Sequence, residues 1–464
     1  MSERRVRRGL WIAGVTLLTS AVLILSLADH GFSGDALMDI ANGHFILAHG
    51  YVPLHNVMTQ AMYGHAWSNT EWLFGVLAAV LYAHFGAQGL VWGLAPVLVA
   101  TGLLISLLAQ RAGRLWGLIL AVMTAFALVP GMSPRPQLFS YLFFAFGLWA
   151  LLHYRKGVRW PVMVFVVAVV PLWANLHESV LLAPILLASE AFIGRHKGLW
   201  WLVSAAFAFS FVHPGGFSSS GGFLSSIFTP GVSNYLQEWQ SLDLFTLVGV
   251  WIVPVVLVAL LYTIRAASRC GDEVGSMWTL AWLVAAAFSQ RFSIYLALTV
   301  LTVTAPLVPL RLRRIERKAG QLLASLLVAA PLALGALALP LSLSAPMAVT
   351  EPVAAFRYLR EHHATNVLPA YAFGDALDLY GPRSFLDGRA ELWVHAPWWT
   401  PYVEANTGHF SPVAFARRWD PTARYIVWPL HYPGATYLLH AKNWRLVYVD
   451  KAPIGTTGVF EREM

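Results

Sequence analysis

Apolar residues along this chain gather into stretches at 10–28, 88–109, 115–130, 137–153, 160–174, 178–193, 199–212, 244–264, 275–289, 292–310 and 320–343, with short polar segments between them. Several are shorter than the roughly 20 residues a straight transmembrane helix needs, so their ends are expected to run into the flanking loops. The pattern predicts a polytopic α-helical membrane protein with about eleven transmembrane helices. One further apolar stretch, EWLFGVLAAVLYAHF at 71–85, is too short for a dependable span and is expected to form an interfacial or re-entrant helix. From about 345 the pattern changes to strand-like runs (Asn366–Ala372, Tyr425–Pro429, Arg445–Val449) and helical ones (Pro352–His362, Pro412–Trp419). The expected division is therefore a transmembrane domain over 1–344, whose first outward loop is 29–87, and a small α/β domain over 345–464.

Composition agrees with a membrane protein: 58% hydrophobic and 12% charged, against roughly 45–50% and 25% in soluble domains. Charge adds orientation. Before position 344 there are twenty Lys and Arg residues, and eighteen fall in six clusters between the apolar stretches: Arg4–Arg8, Arg111/Arg114, Arg155–Arg159, Arg195/Lys197, Arg265/Arg269 and Arg311–Lys318. Such clusters mark the cytoplasmic side, which puts the N-terminus inside and the 345–464 domain outside. Counting 71–85 as a span would turn Arg111, Arg155 and Arg311 outward, against that rule. The net charge of +8 is read as an orientation signal and not as a nucleic-acid surface. RRVRR followed by an apolar run looks like a signal peptide without a small-residue cleavage site, so 10–28 is expected to remain as the first span. The single cysteine, Cys270, excludes an internal disulfide.

On this topology the acids gather outside, next to the lipid: Asp29, Asp35, Asp39, Glu71, Glu178, Glu238 and Asp243. Asp35 and Asp39 stand four apart, so a helix puts both on one face. They are either a cap and a solvated face or a general base and a divalent-cation site. Glu71 either suits the positive end of the helix that follows it or orients an acceptor or metal. Arg135, between prolines in SPRPQ, and Arg291, in FSQRFS, are the two basic residues outside the clusters. Each can grip a phosphate, or pair with an outward acid or lipid headgroup. Asn175, His177 and Glu178, in WANLHES, lie at the outer end of a span, where ionisable groups often face a cavity and where a structural histidine is also common. The first-loop histidines, His55 among them, lack the spacing of a zinc site.

Several phrases occur in order: Asp35 followed by GHFILAHGYVP, then GHAWSNTEWL, RPQLF at 135–139, WANLH at 173–177, and FLDGRAEL at 385–392. As an ordered set they resemble a branch of the bacterial GT-C superfamily of polytopic glycosyltransferases, which includes protein O-mannosyltransferases, aminoarabinose transferases and RgtA/B/C/D-like enzymes. The likeness runs from about residue 30 to 464. It implies transfer of a sugar from a polyprenyl-phosphate donor to a lipid, glycan or protein acceptor at the outer face of the cytoplasmic membrane, commonly with inversion. It also implies that Asp35 acts as base or metal ligand, with Mg or Mn the cation where one is used, and that first-loop helices lie along the membrane surface. Two positions depart from the branch. Asp39 stands where a histidine is frequent, and His55-Asn56 replaces an Asp-Pro.

The sequence therefore carries three readings. The first is an inverting transferase with Asp35, Asp39 and Glu71 at the reacting centre, Arg135 and Arg291 on the donor phosphate, and Asn175, His177, Glu178 and His55 in support. The second is a non-catalytic protein of the same fold in polysaccharide assembly or export. The third, a transporter, calls for inverted repeats and mid-span acids, and the sequence has neither.

Overall fold

The computed structural model describes residues 3–32, 34–218, 240–243, 247–269, 272–308, 320–347 and 349–463. The basic cluster 311–318, Cys270, Glu238 and part of the Gly/Ser tract at 215–222 lie outside these. The chain forms two compact units. The first comprises 1–30, 88–213 and 236–347, and the second 31–87, 214–235 and 348–464.

Helices in chain order are α1 (Glu3–Asp29), α2 (Asp35–His49), α3 (Trp72–Phe85), α4 (Ala87–Ala109), α5 (Arg114–Leu128), α6 (Gln137–Tyr154), α7 (Trp160–Leu176), α8 (Leu182–Phe192), α9 (Trp200–Phe209), α10 (Leu247–Arg269), α11 (Glu273–Phe288), α12 (Ser293–Thr304) and α13 (Gly320–Ser344). Among the described residues, five helical segments are long and apolar enough to cross a membrane: Glu3–Asp29, Ala87–Ala112, Arg114–Gly131, Gln137–Tyr154 and Ser325–Ser344. Others, such as Trp160–Leu176 and Glu273–Phe288, are apolar but shorter. α7 contains a π turn at Phe165–Val169. Pro171, just beyond it, has no N–H to donate, and such a gap in the ladder favours a local bulge.

In the first unit α1 packs along α13 through small residues. A Cβ on Gly14 would come within 2.6 Å of the Leu332 nitrogen, and one on Gly335 within 2.6 Å of the Leu18 nitrogen. Between apolar helices in lipid, backbone approach of this kind supplies the attraction that hydrophobic burial cannot. Trp92 Nε1 donates to the Leu343 carbonyl at 3.0 Å, and Ser342 Oγ to the Ala21 carbonyl at 3.0 Å.

In the second unit α2 and α3 cross at two glycines. A Cβ on Gly43 would collide with the Gly75 carbonyl, and one on Gly75 would come within 2.7 Å of the Asp39 carbonyl oxygen. A four-stranded sheet forms the rest of its core. β1 (Val367–Pro369), β2 (Tyr425–Pro429), β3 (Trp444–Ala452) and β4 (Gly455–Arg462) run in the order β1-β2-β4-β3. β1 is parallel to β2, and the other pairs are antiparallel. β2 is buried along its whole length, as a central strand of a small α/β layer requires. The strand expected over 366–372 stops at Pro369, followed by a 3-10 turn at Tyr371–Phe373. α14 (Val353–Glu361) falls within the expected helix, and Pro412–Trp419 is helical as expected. The sequence reading did not identify β4.

The helix crossing yields a test. Overpacking a close contact costs about 1–3 kcal/mol, so Gly43→Ala is expected to lower the melting temperature of the purified chain clearly. Gly9→Ala, where a Cβ meets nothing within 4 Å, should leave it unchanged or slightly higher. Equal melting temperatures for Gly43→Ala and wild type would remove the crossing as a determinant of the fold.

Candidate active site

The quoted motifs assemble into two clusters, one in each unit. In the second unit α2 begins at Asp35, directly after Gly34, whose φ of +54° suits glycine. α15 (Gly374–Tyr380) follows β1 and packs against α2. The end of a parallel strand leading into a helix is where open α/β sheets place ligands. Asp375, in the first turn of α15, is 5% exposed. Its Oδ1 accepts from the Gly388 N–H at 2.6 Å, and its Oδ2 lies 3.9 Å from where a Gly34 Cβ would be. Burial, and then the negative charges of Asp35 and Asp387, hold the Asp375 carboxyl well above the usual carboxylate range. Glu351, also 5% exposed, accepts from the Gly34 N–H, and its Oε2 has no hydrogen-bond partner among the described residues. Burial raises Glu351 to about 7. The buried acids around Asp35 therefore hold protons more tightly than free carboxyls do.

Behind this group lies a buried ion pair. Arg389 (2% exposed) holds Asp387 (0% exposed) through Nε at 2.8 and 3.0 Å, and donates from Nη2 to Asn56 Oδ1 at 2.9 Å. Its guanidinium sits 4.3 Å from the ring centre of Trp67. GHAWSNTEWL and FLDGRAEL thus meet face to face. Asn56 also donates to Thr59 Oγ1 at 2.8 Å, and the Gln60 and Ala61 N–H groups donate to the carbonyls of Ser384 and Phe385. Asp378, raised by burial and then by the charge of Asp387, accepts from Ser384 Oγ at 2.8 Å. Tyr82 and Tyr380 share a hydrogen bond of 2.8 Å, which ties α3 to α15.

The remaining first-loop candidates occupy different settings. Asp39 is 3% exposed at the α2–α3 crossing, while Asp35 is half-buried one turn earlier. Glu71 precedes α3; its N–H is capped by Asn69 Oδ1 at 3.2 Å and its carbonyl accepts from the Gly75 N–H. His55 is exposed and pairs through its backbone with Ala66. Among the described residues, no three His, Cys, Asp or Glu side chains are disposed to hold a metal ion.

In the first unit, RPQLF and WANLH are joined by a buried network. Trp173 Nε1 donates to Ser140 Oγ at 2.9 Å, Ser179 Oγ to Ser140 Oγ at 2.8 Å, and His177 Nδ1 lies 2.7 Å from Ser179 Oγ. Arg291 lies close enough to His177 and Tyr295 to act on both electrostatically. Asn175 donates to the carbonyls of Pro171 and Val212 at 2.8 and 2.6 Å. Glu178 opens the 3-10 turn 178–181. Arg135 is half-buried in the turn before α6, its N–H bonded to the Ser133 carbonyl at 2.7 Å.

Sequence reasoning missed Asp375, Glu351, Asp387, Arg389 and Asn56 as site residues, although FLDGRAEL and the His55-Asn56 departure were both noted. The phrases carried the signal, but nothing in the sequence shows that residues 56 and 389 meet.

No protein-family model matches the chain, and no curated protein matches it. Solved structures do. One is the archaeal oligosaccharyltransferase AglB from Archaeoglobus fulgidus, in complex with an inhibitory peptide and a dolichol-phosphate. It superposes with a TM-score of 0.58 at 13% identity, over 96% of this chain and 73% of that one. The apo form of the Archaeoglobus fulgidus oligosaccharyltransferase gives a TM-score of 0.56 at 13% identity, over 96% and 74%. At such identities the likeness establishes the fold alone, mostly helical with a small C-terminal sheet domain.

Two measurements probe the second-unit cluster. Folding raises the Glu351 pKa, so the folded state binds that proton more tightly than the unfolded chain does. Stability should therefore fall as pH rises from 4.5 towards 7, by up to about 2–3 kcal/mol from this residue, with Asp375 and Asp378 acting in the same direction. Glu351→Gln should flatten that decline in melting temperature; superimposable pH profiles would show that Glu351 holds no extra proton. Arg389→Met leaves Asp387 buried without its main cation and should cost about 3–5 kcal/mol. Arg389→Met/Asp387→Leu should recover much of the loss in thermal melts.

Proposed function

We propose that this chain is an inverting glycosyltransferase. It would move a sugar from a polyprenyl-phosphate-linked donor to a glycan, lipid or protein acceptor at the outer face of a bacterial cytoplasmic membrane. The proposal includes eleven spans, a cytoplasmic N-terminus and an outward 345–464 domain, as the basic clusters indicate. The observation that carries it is Asp35. It opens the first helix after the first span, beside Asp375, in a chain with the architecture of an oligosaccharyltransferase solved with a dolichol-phosphate.

In this mechanism Asp35 takes the proton of the acceptor hydroxyl. The acceptor oxygen attacks the anomeric carbon as its bond to the phosphate oxygen breaks, and polyprenyl phosphate leaves with the electron pair. Asp375, raised by burial and by the charges of Asp35 and Asp387, holds a proton more readily than a free carboxyl does. Arg135 and Arg291 grip the donor phosphate as it gains charge. Asp39, Glu71 and His55 support the first loop from α2, the start of α3 and the 55–66 turn. Asn175, His177 and Glu178 support Arg291 from the end of α7. Where a divalent cation, Mg or Mn, is used, Asp35 would hold it with Asp39 behind, and it would supply charge neutralisation at the leaving phosphate.

The test uses the purified chain in nanodiscs with a panel of undecaprenyl-phosphate hexoses, together with cells carrying the variant. Asp35→Asn should lower transfer by about 10²–10⁴-fold with an unchanged melting temperature. A normal surface-glycan phenotype in Asp35→Asn cells would sink the transferase reading and favour the non-catalytic assembly role.

A further inference from the structure

Four of the five long apolar segments end around one cavity of about 370 Å³ in the first unit. It is bounded by the start of α1, the end of α4 with its following turn, the start of α5 and the end of α6. Its wall carries Arg8, Arg111, Arg114 and Lys156, and no Asp or Glu. Nearby cations are differently placed: Arg155 binds Glu190 at 2.7 Å and Asp272 at 3.3 Å, and Arg7 binds Glu3 at 2.7 Å. Inside the cavity, Arg8 Nε donates to neutral Gln110 at 2.7 Å. Arg111 Nη1 is buried with no hydrogen-bond partner among the described residues. A buried guanidinium donor left without an acceptor is costly, and an anion would satisfy it. The remaining wall is Trp11, Trp149, His153, Gly113 and leucines. Trp149, half-buried near the end of α6, suits the headgroup level of a bilayer, and the leucines give acyl chains an apolar entry.

We propose that this cavity binds the phosphate headgroup of an anionic lipid, on the side of the membrane that carries the basic clusters. Concentrated cations at the ends of spans recognise such headgroups. The apolar wall favours a lipid over a soluble phosphate. The site involves none of the groups assigned to transfer, so it stands or falls independently of the enzymatic reading.

Native mass spectrometry of the full chain, titrated with phosphatidylglycerol, phosphatidylcholine or inorganic phosphate, tests it. Phosphatidylglycerol should be retained and phosphatidylcholine should not. Arg111→Gln/Lys156→Gln should weaken retention by about thirtyfold, while Arg4→Gln/Arg5→Gln, with the same charge change outside the cavity, should stay within about threefold. Equal loss in the two double variants, equal retention of phosphatidylcholine, or inorganic phosphate binding as tightly as the lipid would each overturn the proposal. Should the cavity variant fail to fold, brominated phosphatidylglycerol decides on the native protein. It should quench tryptophan emission in wild type and distinctly less in Trp149→Phe; identical quenching would also overturn it.

Discussion

The second unit depends on one buried cation. Arg389 is 2% exposed, and removing a guanidinium from water is costly unless its donors and its charge are met. Asp387 meets the charge, Asn56 takes a donor, and Trp67 covers a face. Two of these three partners come from the first loop, more than 300 residues earlier in the chain. The loop that presents Asp35 and the sheet-bearing segment that presents Asp375 are thereby fixed to each other within this unit. That clamp acts together with the packing of α2 on α15, the Tyr82–Tyr380 bond and the backbone bonds from Gln60 and Ala61 to Ser384 and Phe385.

The two units treat charge in opposite ways. In the first, the most buried acid, Glu190, is met by Arg155 through two bonds of 2.7 and 2.8 Å. In the second, burial and mutual repulsion raise Asp375, Glu351 and Asp378, with the buried Arg389 guanidinium as the cation nearby. Strongly raised carboxyls gathered beside another acid are an arrangement suited to proton chemistry.

Much of this was legible in the sequence. Hydropathy located the apolar helices because burial in lipid demands long unbroken apolar runs. The strands β1 to β3 were visible as β-branched and aromatic runs. β4 was missed because GTTGVFER mixes glycine and polar residues, and only its pairing with β2 and β3 makes it a strand. The helix crossing at Gly43 and Gly75 was equally invisible, since a glycine in an apolar stretch does not announce what it touches. Asp35 was legible from its position after the first span. Its neighbours were not: Glu351 and Asp375 lie in the other segment, and local spacing has no information about contacts that the fold creates over three hundred residues.

Asp39 shows how the structure redirects the question of a second acid. By spacing it pairs with Asp35. In the fold its surroundings are the α2–α3 crossing, where its own carbonyl lies against Gly75 and its side chain is 3% exposed. A carboxylate there exchanges with substrate or solvent poorly, while Asp35, half-buried at the helix start, faces Asp375. Burial rather than spacing thus separates the two: Asp39 belongs to the packing that orients α2, and the group best placed to modulate Asp35 comes from α15. An aspartate in a helix crossing demands small neighbours, and the glycine pair supplies them. The departure at position 39 and the glycines at 43 and 75 are then one local solution to bringing α3 against α2.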